Sequence, residues 1–296
     1  MTRRKRVVFL LTVGAVAAAL LLVICWPSEP RYQGKSLSYW LEPWRYGGGE
    51  SEESLAKALE VMSDRAVPHL IKRLQWRPSR WKQELRQYLP NWAANISWLR
   101  DREDPRKTAV HALHLIGDAA APAIPYLEAA SAANDTPGDW ELRPAAGAAL
   151  IRIRREPLAP HIGPLRDTDT DMSKWIERAI MIGYLGTNAA AAVPILVQAM
   201  DKNNNEIIRG YAVKALGMVH SHPELCVGPL AEMVASPALD LRQKAIDSLS
   251  TFGRDAKPAW QAILQSLNDS DPRVRVSATN AVKEIDPDRA KKMGIQ

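Results

Sequence analysis

Small and apolar residues recur along most of this chain at three, six and seven places after an arginine. The strict copies are Arg106/Ala109/Ala112/Leu113, Arg143/Ala146/Ala149/Leu150, Arg209/Ala212/Ala215/Leu216, Arg242/Ala245/Ser248/Leu249 and Arg275/Ala278/Ala281/Val282. A looser copy reads Arg178/Met181/Tyr184/Leu185 and a degenerate one Glu52/Leu55/Ala58/Leu59. From Arg106 the starting positions step by 37, 35, 31, 33 and 33 residues. Offsets of three, six and seven lie along one side of a helix. Alanines there let a neighbouring helix approach closely, and the leucine supplies a buried knob.

A second mark precedes these helices: an apolar residue, often a proline, then leucine. It reads Val67-Pro68-His69-Leu70, Ile124-Pro125-Tyr126-Leu127, Ile162-Gly163-Pro164-Leu165, Val193-Pro194-Ile195-Leu196 and Val227-Gly228-Pro229-Leu230. Ala262-Ile263-Leu264 holds the same place in the last unit. Proline is tolerated in a first helical turn, where its missing donor costs nothing. Each mark therefore predicts a first helix that hairpins onto the arginine-led one. Gly117, Gly186 and Gly253 predict helix ends, and Asp104-Pro105 and Asp271-Pro272 predict helix starts. Repeats of this period predict stacked helical units.

The amino terminus follows another pattern. Residues 7–26 run for 20 positions without a charge, preceded by Arg3, Arg4, Lys5 and Arg6. A helix of that length matches a hydrocarbon core of about 30 Å. The basic side is expected in the cytoplasm, with everything after Trp26 beyond the membrane, periplasmic or extracellular. A cleaved leader would want a small-x-small end, and the segment ends Ile24-Cys25-Trp26. Lipidation of Cys25 would want a small residue in place of Ile24. Either alternative still exports the body. The expected organisation is a basic tail (1–6), a transmembrane signal anchor (7–26), a tether with an amphipathic segment at 36–44 (27–49), and a repeat array (50–296).

These paired helices resemble HEAT repeats, the armadillo-like helical class that includes phycobilisome-lyase HEAT-like proteins. The likeness rests on the x-V-P-x-L marks and on runs such as residues 109–117 and 209–217, and covers about residues 50–296. It implies an all-α, right-handed α-solenoid of about seven helix pairs, its second helices lining a concave side. Residues 32–41 look more loosely like a segment preceding HEAT arrays in anchored bacterial proteins. The departure is an insertion at 75–103 carrying Trp76, Trp81, Trp92 and Trp98.

Composition narrows the function. Apolar residues make up 46% and charged residues 24%, a globular balance. The net charge of +6 falls to +2 without the four terminal cations, which disfavours nucleic acid as a partner. Two cysteines, Cys25 and Cys226, exclude a disulfide framework and a four-cysteine zinc site.

The chemical motifs are fragments. Gly34-Lys35-Ser36 lacks the first glycine and the preceding strand of a phosphate loop. Asp167-x-Asp169-x-Asp171 lacks the glycine and the bidentate acid of a calcium loop, so a capping loop is the simpler reading. His111 and His114 are close enough to share a metal, but no third ligand stands near them. His220 and His222 follow a helix end, where imidazolium meets the dipole favourably. Cys226 reads as a small buried side chain. No catalytic set, cofactor or metal site is assigned.

The tryptophans read first as a seal over the open amino end of the array, then as a recognition or glycan-binding surface, and for Trp40 and Trp44 also as contacts to a membrane surface. The recurring arginine reads as structural, bonding loop acids between repeats. Partner recognition is expected at outward positions of the second helices: His111, His114, Tyr211, Lys214, Gln243, Lys244, Asp247, Asn280 and Lys283. The sequence therefore predicts a non-catalytic, membrane-anchored scaffold that binds another protein along its concave side. The alternatives are a cell-wall or glycan binder, or a HEAT-like lyase or DNA glycosylase.

Overall fold

The computed structural model describes residues 29–42, 52–77, 88–89, 104–133, 139–168 and 171–295. The chain divides into two units, Met1–His69 and Leu70–Gln296. Among the described residues no helix is long and apolar enough to cross a membrane. The expected span, residues 7–26, lies outside the described residues, as do Trp81, Trp92 and Trp98.

In the first unit, β1 (Arg31–Tyr32) pairs antiparallel with β2 (Lys35–Ser36). Gln33 and Gly34 turn between them, both at positive φ, as a two-residue hairpin requires. This small ladder precedes the repeat array and leaves the all-α class unchanged. Helix α1 (Leu37–Leu41) follows, capped by Ser36, whose Oγ accepts from the Tyr39 amide. Leu37, Trp40 and Leu41 are buried, and the Lys35 ammonium lies over the rings of Tyr39 and Trp40. Lys35, the cation of the phosphate-loop fragment, is thus spent on aromatic packing.

Helix α2 (Glu52–Leu74) contains Val67-Pro68-His69-Leu70, which the sequence pattern assigns to a separate helix. The reason lies eleven residues after the repeat start. Later units carry Gly117 and Gly253 there, with φ of 66° and 49°, and a 3-10 turn follows each. Ser63 occupies that place in α2, and without a residue suited to the left-handed turn the helix runs on.

Among the described residues of the second unit, the helices form two rows. The arginine-led row is α3 (Pro105–Ile116), α5 (Asp139–Arg154), α7 (Met172–Tyr184), α9 (Glu206–Val219), α11 (Leu239–Thr251) and α13 (Pro272–Ile285). Each packs on the next in sequence. The other row is α4 (Ile124–Ser131), the short α6 (Ala159–Ile162), α8 (Val193–Ala199), α10 (Pro223–Met233) and α12 (Trp260–Ser266). Each hairpins onto the following arginine-led helix, and α14 (Pro287–Lys292) packs on α13. This is a helical repeat.

The core is the one that the spacing predicts. Leu113, Leu216 and Leu249 are wholly buried and Leu150 nearly so, beside Ala109, Ala112, Ala146, Ala149, Ala212, Ala215 and Ala245. Each leucine so placed contributes about 2 kcal/mol of burial. Asp104, Asp171, Asn205 and Asp271 accept from backbone amides two residues on and so cap α3, α7, α9 and α13. Asp171 therefore serves as a cap, the simpler reading of the calcium-loop fragment; Asp169 lies outside the described residues.

Helix α7 corrects the repeat frame. Ala179, Ile182 and Gly183 are buried, as are Trp175, Ile180 and the Leu185 of the looser copy, whereas Met181 and Tyr184 are half-buried on the face. The frame thus starts at Ile176, two residues before Arg178. Repeat starts at 143, 176, 209, 242 and 275 are then uniformly 33 residues apart.

Candidate functional site

The recurring arginines bind the corners between helices. Arg106 is buried with Asp104 and with Asp139 of the next arginine-led helix, its Nη2 lying 2.6 Å and 2.9 Å from their carboxylates. The Asp104 hydrogen bond, with both carboxylates alongside, raises its pKa further against the cost of burial. Arg242 holds Asp269 at 2.8 Å. Arg209 donates to the Met200 carbonyl instead, and Arg275 to those of Asp269 and Ser270. The partners are thus acids in some units and backbone oxygens in others. In both cases the arginine is engaged in holding a loop.

Trp76, from the insertion, sits with the Arg106 guanidinium 5.8 Å from its ring centroid. That places it in the packing of α3, half-buried.

His111 and His114 do not belong to an open strip, contrary to the sequence expectation. His114 is buried and His111 half-buried. Burial, assisted by the Arg152 charge, pushes His114 down to about 4, against a backbone hydrogen bond at Ala148. Burial and the adjacent His114 push His111 down to about 3. On α5 the outward positions Pro144, Ala148 and Ile151 are buried too. At the carboxyl end the same face is open: Asp247 and Asn280 are exposed, and Lys214, Gln243 and Lys283 half-buried.

A groove of about 440 Å³ opens there, between α9 and α11. Its α9 wall is Lys214, Gly217 and Met218. Its α11 wall is Asp240, Gln243, Lys244, Asp247, Ser248 and Thr251. Four of the nine predicted recognition residues therefore meet in one place: Lys214, Gln243, Lys244 and Asp247. Tyr211 lies beside them, its ring 5.3 Å from the Lys244 ammonium. Asn280 and Lys283 occupy the corresponding positions one helix further on.

Local packing explains the groove. A Cβ on Gly217 would fall 2.6 Å from Ser248 Oγ and 2.9 Å from Ser248 Cα, so the missing side chain lets α11 close on α9. Ser248 Oγ donates to the Val213 carbonyl at 2.9 Å, and Thr251 Oγ1 to that of Gly217 at 3.0 Å. On the preceding helix, Met218 covers Gly183 with a long flexible side chain. Thr251 stands 33 residues after Met218, and the shorter side chain leaves the space beside Met218 open.

The charges divide into satisfied and unsatisfied. Lys244 is 3.9 Å from Asp240 and rests against Tyr211. Lys214 makes no ion pair among the described residues. The surrounding packing pushes the Asp247 carboxyl above its ordinary range, against a hydrogen bond from Ser277. The sequence pattern did not mark Met218, Asp240 or Thr251, although the 33-residue step from Arg209 to Arg242 aligns Met218 with Thr251.

Two further motifs have local explanations. His220 ends α9 at a φ of 47°, the left-handed place filled by glycine elsewhere, and His222 Nδ1 lies 3.0 Å from Glu224. Cys226 is buried, and burial pushes its thiol up to about 11, far from thiolate reactivity at neutral pH.

No family model matches the chain, and no curated protein matches it. Solved structures do. Human deoxyhypusine hydroxylase in complex with glycerol is 17% identical over 88% of this chain and 93% of its own, with a TM-score of 0.43. A designed armadillo repeat protein in complex with the peptide (KR)4 is 14% identical over 74% of this chain and 99% of its own, with a TM-score of 0.40. An engineered protein is 16% identical over 84% of this chain and 68% of its own, also with a TM-score of 0.40. These are weak likenesses, and the helical-repeat architecture rests on the packing described above.

Proposed function

We propose that this chain is a non-catalytic, HEAT-like scaffold, held at a membrane by residues 7–26, that binds another protein along the outward face of α9, α11 and α13. The observation that carries the reading is the contrast along that face. Ala148 is buried and apolar on α5, whereas its equivalents are polar, Lys214 half-buried on α9 and Asp247 and Asn280 exposed on α11 and α13, and a groove opens between α9 and α11. A shallow, mixed-charge surface on a rigid row of helices suits a protein segment better than an enclosed small molecule. The depressed histidines and the raised thiol are accounted for by burial within the fold, which leaves them with packing roles. The basic residues before the apolar run favour an exported body.

A photo-crosslinking amino acid placed at Asn280 or Lys283 in the full chain, in native membranes, tests the surface. A discrete adduct is expected from both sites and not from Glu232, an exposed position on α10. Equal labelling from Glu232 would defeat the reading. A periplasm-active reporter fused to the carboxyl terminus tests the topology, and activity of a cytoplasmic reporter instead would overturn it.

A further inference from the structure

The groove carries an unfilled pair of charges. Lys214 and Asp247 occupy the same place in consecutive repeats, 33 residues apart, and both line the cavity. Lys214 makes no ion pair within 4 Å among the described residues. Asp247 receives a neutral hydroxyl from Ser277 and has no cation paired with it among the described residues. The other two charges in the groove, Lys244 and Asp240, already face each other. Met218 and Gln243 line the same groove.

We infer that the groove takes an extended protein segment bearing an acidic and a basic side chain two residues apart, the acid against Lys214 and the base against Asp247. The spacing follows from two geometries. Packed helices lie about 8–10 Å apart, which sets the separation of equivalent positions. Alternate residues of an extended chain are about 7 Å apart on one face, and long charged side chains span the remainder. The aliphatic stems of those side chains cover Met218, and Gln243 offers donor and acceptor groups to the peptide backbone. A uniformly basic or acidic segment would meet one like charge, and a neutral one would leave Lys214 and Asp247 unpaired.

This inference rests on the scaffold reading, and its test is separable from it. Four fluorescein-labelled peptides, identical except for a central Glu-Leu-Lys, Glu-Leu-Glu, Lys-Leu-Lys or Gln-Leu-Gln, are titrated against the full chain in detergent by anisotropy at low salt. Glu-Leu-Lys is expected to bind about tenfold tighter than Gln-Leu-Gln, roughly the value of one well-made partly buried charge contact. Lys214→Glu should shift the preference to Lys-Leu-Lys, and Asp247→Lys should shift it to Glu-Leu-Glu, with helicity unchanged by circular dichroism. Absence of any preference in the natural protein, or an unchanged preference in both variants, overturns the inference. If that happens while crosslinking from Asn280 still captures a protein, the scaffold reading survives and only the groove chemistry falls.

Discussion

Gly217 and Gly228 both sit in helices and differ only in what surrounds them. Gly217→Ala would drive a methyl into Ser248, including its backbone, and should cost about 1–3 kcal/mol by urea denaturation. Gly228→Ala meets nothing within 4 Å and should stabilise α10 by up to about 1 kcal/mol. Equal effects at the two sites would refute the close approach of α9 and α11. The histidine pair gives a pH signature. In the unfolded chain His114 takes a proton near 6.5, whereas in the fold it stays neutral down to about 4. Its stabilising effect is therefore complete above pH 6.5 and is lost as the pH falls from 6.5 towards 4, by about 3 kcal/mol. His114→Leu should reduce the dependence of the urea midpoint on pH across that window, leaving the share that His111 contributes; a slope equal to that of the natural protein would contradict the burial. At this scale the sequence marked the histidines but not their environment. The positions three apart on α3 are plain, while the burial of the corresponding face on α5 shows only in the packing.

Helix ends and core faces were legible because each has a local cause: an aspartate two residues before the amide it accepts from, a glycine at a left-handed turn, an alanine in a helix contact. Two elements escaped that logic. The glycine-free stretch around Ser63 removes the stop that would have divided α2. In α7 an arginine at 178 imitates the repeat signal, while the true core slots hold Ile182 and Gly183 rather than alanine and leucine. An apolar pattern with period 3.6 tolerates such a shift, and only burial decides it. The links between elements also differ in worth. Asp139 begins α5 and reaches back to the buried Arg106 of α3. Asp139→Ala should strip that cation of one partner and lower stability by about 3 kcal/mol. Glu128→Ala, which removes the exposed partner of Arg154, should leave the midpoint unchanged, since such surface pairs contribute little. Similar losses in both would mean that the arginine corner is not a structural link.

Across the second unit, each repeat packs on its sequence neighbours, so stability there is close to a sum of local terms. Removing residues 242–274 excises one full period and joins Leu241 to Arg275 in register. The shortened protein should still unfold cooperatively, with helicity reduced by one unit's share. Removing residues 242–261 breaks the register and should abolish a cooperative transition in thermal melts. The in-register deletion would also bring Asn280 to the place of Asp247, and with it loss of any preference for a basic side chain there.

The buried face of α5 and the open face of α9 to α13 place different demands on change. Where Pro144, Ala148 and Ile151 are enclosed, a new side chain must first be accommodated by the fold. Where Lys214, Asp247 and Asn280 reach the surface, a replacement leaves the folding energy nearly untouched and, under the proposed function, would alter what is bound. Under that proposal, specificity at the carboxyl end is free to drift one amino acid at a time, without passing through an unstable ancestor.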